Sequence, residues 1–134
     1  MVLQSLAGLP AFLAYFCLSA VAVIAYLLVY TRITAHNEFD LLRRNVPGAA
    51  ISLGLSLLGF ALPVASAVAH SADIVDCAVW SIIAFGVQII AYYAARLAVP
   101  ELSARIAAGE LAAAIWLGLA SLTAGLLSAA SMTM

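Results

Sequence analysis

Polar positions along this chain are gathered into a few short stretches, and the apolar runs between them are too long for the core helices of a water-soluble domain. Four windows, Ala11 to Tyr30, Val46 to Ala69, Ile74 to Leu97 and Leu111 to Ala130, each hold enough residues to cross about 30 Å of hydrocarbon at about 1.5 Å per residue. The pattern predicts an all-α membrane protein with four transmembrane helices, a single membrane domain over residues 1–134. The polar stretches after the first and third windows have a helical order of their own. In Asn37-Glu38-Phe39-Asp40-Leu41-Leu42-Arg43-Arg44, Asn37 is suited to cap a helix, and acids precede arginines as the helix dipole favours. Pro100-Glu101-Leu102-Ser103-Ala104-Arg105 repeats that order, with Pro at a helix start and Glu101 four residues before Arg105. Both stretches read as short interfacial helices that turn Phe39, Leu41, Leu42, Leu102 and Ile106 into lipid or over the bundle.

Composition points the same way. The chain is 67% hydrophobic and 8% charged, with a mean hydropathy of +1.19, more apolar surface than a soluble fold could hide. The distribution of charge adds orientation, because all five cations are arginines and all fall in the two connections just described. Arg32, Arg43 and Arg44 follow the first window, and Arg96 and Arg105 lie at and beyond the end of the third. By the positive-inside rule these connections face the cytoplasm, while both termini and the turn from His70 to Asp76 face the other side. Arg43 and Arg44 are suited to contact anionic lipid. The first window lacks a basic segment before it and is about twice the length of a signal-peptide core, so it is read as a helix of the mature protein. Cys17 and Cys77 are too few for a disulfide framework and read as small apolar residues.

The order of span, Arg-bearing connection and span occurs twice. A shift of about sixty-four residues brings Arg32 onto Arg96 and Ala49-Ala50-Ile51 onto Ala113-Ala114-Ile115. This predicts two parallel two-helix repeats, about 9–70 and about 73–134, related by an axis along the membrane normal.

Each span carries one seam of small or polar residues. In the second it runs Ser52, Ser56, Gly59, Pro63, Ser66 and His70, at steps of four and three that stay on one helix face. The fourth repeats the device with Ala114, Gly118, Ser121, Gly125 and Ser128. The third has Cys77, Ser81, Ala84, Gln88 and Tyr92, and the first Tyr15, Ser19, Tyr26 and Tyr30. Two uses fit such seams: close helix contact with hydroxyls bonding across it, or the lining of a water-filled path. Pro63 cannot donate to the carbonyl of Gly59, so a kink is expected there, with Ser56 and Ser66 near enough to compensate. Gln88 is the one side-chain amide well inside a span, about 12 Å along the axis from Arg96, and bonding to another helix is the simpler use for it.

No Asp, Glu, Lys, Arg or His lies near a predicted bilayer centre, which disfavours proton-coupled carriers and voltage sensors. In the outward turn, His70, Asp73 and Asp76 recur at steps of three and form the one cluster with metal-ligand chemistry. Against that stands capping of the third span by Ser71 or Asp73, with Asp76 in the first turn. Glu110 opens the fourth span, where the helix dipole favours it, and Arg105 or Arg96 are its candidate partners. No nucleophile, metal or nucleotide motif is present, so neither an enzyme, a cofactor nor a nucleic-acid partner is expected.

The run from Asn45 through Pro47-Gly48-Ala49-Ala50-Ile51-Ser52-Leu53-Gly54 to Gly59-Phe60-Ala61-Leu62-Pro63 and Ser66 resembles the first repeat of a bacterial membrane family. The close of the chain, Gly109-Glu110-Leu111 to Gly125-Leu126-Leu127-Ser128, resembles its second. His36-Asn37-Glu38 is similar to the polar connection before that family's second span. The family is domain-of-unknown-function family 350, the YjfL-like bacterial inner membrane proteins. The resemblance implies a duplicated four-span protein of the inner membrane and carries no activity with it. Two functional classes stay open: a homo-oligomeric path for a small solute or ion, running between copies, or a membrane scaffold that recruits a cytoplasmic or envelope partner through its short connections, in envelope stress or maintenance.

Overall fold

The computed structural model describes residues 6–34 and 38–132, and the described residues are helical with no strand. Four long helices match the four windows, each within three residues at either end. They are α1 (Leu9–Ile33), α3 (Pro47–His70), α4 (Ile74–Ala98) and α6 (Leu111–Ser131). Two short helices, α2 (Glu38–Arg43) and α5 (Leu102–Ala107), sit between them, so the order long, short, long occurs twice. The expected cap Asn37 and its neighbour His36 lie outside the described residues.

The two short helices end in the same way, and this sets how α3 and α6 begin. After α2, Asn45 takes φ 62°, Asn45 N–H donates to Leu42 O and Val46 N–H to Leu41 O. After α5, Gly109 takes φ 88°, Gly109 N–H donates to Ile106 O and Glu110 N–H to Arg105 O. Each is a Schellman turn, in which one left-handed residue satisfies two carbonyls at the helix end. Glycine adopts that conformation freely and asparagine tolerates it. A long helix starts two residues later in both cases. Leu41, Leu102 and Ile106 are buried beneath the bundle, whereas Phe39 stays 40% exposed. The short helices thus cap the bundle on the arginine side.

One detail of the second connection departs from the sequence reading. Glu101 has φ 59° and stands before α5 as its N-cap, so the helix begins at Leu102 and not at Pro100. Being outside the helix, Glu101 loses the geometry of an i, i+4 pair, and Arg105 bonds Glu110 instead, at 3.3 Å.

Packing is unequal among the long helices. α3, α4 and α6 form the compact part, while α1 buries only Tyr26 and Tyr30, both in its arginine-side half. Those two tyrosines join an aromatic cluster: Tyr26 stacks on Phe60 with ring centroids 4.5 Å apart, Phe85 meets both edge-on, and Tyr30 meets Tyr92 at 5.8 Å. Edge-to-face and offset geometries of this kind add to simple burial. α1 is therefore fastened at one end, and its other half leaves Leu9, Phe12 and Phe16 exposed.

Candidate functional site

The chemistry of this protein concentrates where α3, α4 and α6 meet. Glycine makes the approach of α3 and α6 close enough to count in single atoms. A Cβ built on Gly59 would lie 2.5 Å from Ser121 O and 2.8 Å from Ser121 C, and one built on Gly125 would lie 2.8 Å from Gly59 Cα. Gly118 faces the side chain of Leu55, and Gly48 the Ala114 methyl more loosely at 3.3 Å. The backbone contact at Gly59 and Gly125 is available only to glycine, as in other membrane helix pairs built on small residues.

Gln88 of α4 reaches into that crossing and is 1% exposed. Its Nε2 donates to Gly59 O at 3.0 Å and to Ser121 O at 3.2 Å, while Ser121 Oγ donates to its Oε1 at 2.5 Å. Two carbonyls on one side and a hydroxyl on the other leave the amide a single sensible orientation. Proline explains why Gly59 O is open to it. In an uninterrupted helix that carbonyl would receive the N–H of the residue four later, which is Pro63 and has none. The side chains proposed from sequence to compensate for Pro63 do other work. Ser56 Oγ donates to Tyr30 Oη at 3.1 Å, and Ser66 Oγ to Ala129 O at 3.0 Å. The freed carbonyl is satisfied by Gln88, from another helix.

The remaining seam residues fall around this clamp. Ser52 is buried and donates to Ala49 O within its own helix, and Pro63, Gly118 and Gly125 are buried at the α3–α6 side. Further cross-helix bonds lie toward the arginine side. Trp116 Nε1 donates to Ala95 O at 3.2 Å, and the Tyr92 and Ser103 hydroxyls sit 3.3 Å apart, tying α5 to α4. Sequence reasoning singled out neither Trp116 nor Ser103 for these roles.

The helix-end charges divide into paired and unpaired. Arg44 bonds Asp40 one turn earlier in α2, and Arg105 bonds Glu110, the N-cap residue of α6. Arg32, Arg43 and Arg96 are exposed and have no carboxylate partner among the described residues. Exposed pairs such as these add at most about 1 kcal/mol each.

At the opposite end, His70, Asp73 and Asp76 are each engaged with backbone. Asp73 is the N-cap of α4 and accepts Asp76 N–H at 2.8 Å, and Asp76 Oδ2 accepts Ala72 N–H at 3.0 Å. The imidazole Nδ1 of His70 lies 2.9 Å from Ser66 O. This is a reciprocal cap on a helix start. Among the described residues no three metal-ligating side chains come together.

Comparison with known proteins supplies the lineage. The family described as Domain of Unknown Function (DUF350) matches residues 4–132. The chain is 37% identical over 126 residues to UPF0719 inner membrane protein YjfL of Escherichia coli (strain K12), an alignment covering 94% of this chain and 96% of that protein. The protein of the same name from Escherichia coli O157:H7 matches to the same extent. No solved structure matches. A match over nearly the whole length, four apolar spanning helices and a relative named for the inner membrane lead to one conclusion: the chain belongs to the DUF350 family and is a multi-pass inner membrane protein.

Proposed function

We propose that this protein is a non-enzymatic membrane scaffold, which holds a small cytoplasmic surface of α2, α5 and the helix-end arginines where a partner can dock. The observation that carries the reading is the Gln88 clamp. Every polar atom of that amide is used on α3 and α6, and the glycine contacts on either side close that crossing. The outer surface of the spans offers little in its place, being lined by exposed residues such as Ile82, Ile90, Leu119 and Leu127. The test is flux across liposomes containing the purified protein, read with potassium and proton reporters. Leakage equal to that of protein-free liposomes is expected. Conduction by the unmodified protein, altered by Gln88→Leu, would overturn the scaffold.

A path between copies of a homo-oligomer is the second reading. What favours it is the groove of about 510 Å³ between the loosely held half of α1 and α3, where Tyr15 and Ser19 are only half-buried and a neighbouring copy could enter.

The duplication and the orientation belong to the same proposal. Two parallel repeats are supported by the matching Schellman turns at Asn45 and Gly109, which lie the same distance apart as Arg32 and Arg96. The arginine side is the cytoplasmic side by the positive-inside rule. In a version lacking Cys17 and Cys77, a cysteine at the exposed position Ala72 should react with an impermeant maleimide in intact spheroplasts. One at the exposed position Ala108 should react only after lysis, and the reverse order would invert the topology.

A further inference from the structure

The geometry points to a binding site for one anionic phospholipid in the groove between α1 and α4, its acyl chain along the groove and its phosphate between Arg32 and Arg96. The groove has a volume of about 400 Å³, with Ala22 and Ala25 of α1 facing Ala78, Ile82 and Phe85 of α4 across a floor made by Phe60. Alanine on one wall is what leaves it open. A second hollow, lined by Ala25, Leu28, Val29 and Arg32 of α1 alone, shares Ala25 with it and leads to Arg32. Ala22, Ala25, Val29 and Arg32 follow one another at steps of three, four and three, so they form one continuous strip of α1. On α4 the steps from Ile82 to Phe85, Ile89 and Arg96 are three, four and seven, which brings Arg96 onto the flank that faces α1. Each wall therefore ends in an arginine.

Wall chemistry and charge select the occupant. The walls are apolar from Leu18 on α1 and Ala78 on α4 toward the two arginines, which suits an apolar chain with a charged end. At the headgroup end, Arg32 and Arg96 lack carboxylate partners among the described residues, unlike Arg44 and Arg105. Two guanidinium groups so placed suit a phosphate that carries net negative charge, and suit less well a headgroup that adds its own ammonium. The inference holds whichever leaflet the arginines face and does not depend on the scaffold reading.

The experiment is native mass spectrometry of the purified full chain, released from micelles containing equal amounts of phosphatidylglycerol and phosphatidylcholine. One retained phosphatidylglycerol is expected, in preference to phosphatidylcholine. Arg32→Gln and Arg96→Gln should each lower that preference about fivefold, the worth of one basic residue near an anionic surface. Arg43→Gln, away from the groove, should leave it intact. Ala25→Phe keeps every arginine and fills the groove, and it should remove the bound lipid. Equal retention of the two lipids, or undiminished retention by Ala25→Phe, would overturn the site. A reading on the unmodified protein guards against variants that fold poorly: phosphatidylglycerol should raise its Tm above the value in phosphatidylcholine. No difference in Tm, or an equal rise with glycerol 3-phosphate alone, rejects the lipid groove.

Discussion

A single methyl group at position 125 should be enough to force α3 and α6 apart. Gly125→Ala puts a Cβ about 2.7 Å from Gly59 C and 2.8 Å from Gly59 Cα, both backbone atoms that no rotamer change can move. Alanine would gain up to about 1 kcal/mol of helix propensity over glycine, and overpacking of a closed contact costs about 1–3 kcal/mol or more. Because the obstacle is backbone on a helix that Gln88 also holds, the upper part of that range applies, and a net loss of about 2 kcal/mol is expected in an equilibrium unfolding assay in micelles. Gly59→Ala should cost nearly as much, since it meets Ser121 backbone. Gly118→Ala meets the side chain of Leu55, which can partly turn away, and should cost less. Gly54 and Gly86 have nothing within 4 Å of an added Cβ, so Gly54→Ala and Gly86→Ala serve as controls and should be neutral or slightly stabilising. If Gly125→Ala behaved like those two, α3 and α6 would not be in contact at this level.

The seams that make this contact were legible in the sequence because membrane helices bring small residues together, and steps of four and three put Ser52, Ser56, Gly59 and Pro63 on one face. What the pattern did not contain was the partner of each. Ser56 and Ser66 are one turn from Pro63 in sequence, yet their hydroxyls serve Tyr30 and Ala129, because a helix neighbour in space offered better geometry than the freed carbonyl in their own helix. The ends of the short helices illustrate the opposite case. Gly109 followed by a new helix, and Asn45 in the matching place, are readable as left-handed caps from residue type alone, whereas the dipole pattern of acids and arginines speaks only to the order of charge along each short helix. That pattern also suggested a pair between Glu101 and Arg105, which needs Glu101 to be helical. The conformation of one residue, φ 59° at Glu101, transfers Arg105 to Glu110. That Arg32 and Arg96 have no carboxylate partner among the described residues has no signature in sequence at all, since it depends on which acids α2 and α5 bring within reach.

Gln88→Leu should destabilise the bundle by about 2–3 kcal/mol, and the size of that loss should depend on Pro63. Leucine is close to glutamine in volume, so the change removes hydrogen bonds more than packing. Three bonds disappear together, and the carbonyl of Gly59 and the hydroxyl of Ser121 are left in an apolar crossing. A single bond between membrane helices contributes about 0.6–2 kcal/mol, and a buried group left unsatisfied costs about 1–3 kcal/mol. Part of this arises only because position 63 lacks an N–H. In Pro63→Ala the helix can supply its own donor to Gly59 O, at the expense of a small void where the buried ring was. The cycle of Gln88→Leu, Pro63→Ala and the double variant separates these effects. The loss on removing Gln88 should be smaller by about 1 kcal/mol when position 63 is alanine, since the glycine carbonyl then keeps a partner. Additive losses would show that the amide stabilises the crossing without regard to the carbonyl that proline exposes. Losses that sum to less than additive would identify Pro63 and Gln88 as one device, in which a helix gives up an internal bond so that a neighbouring helix can take it.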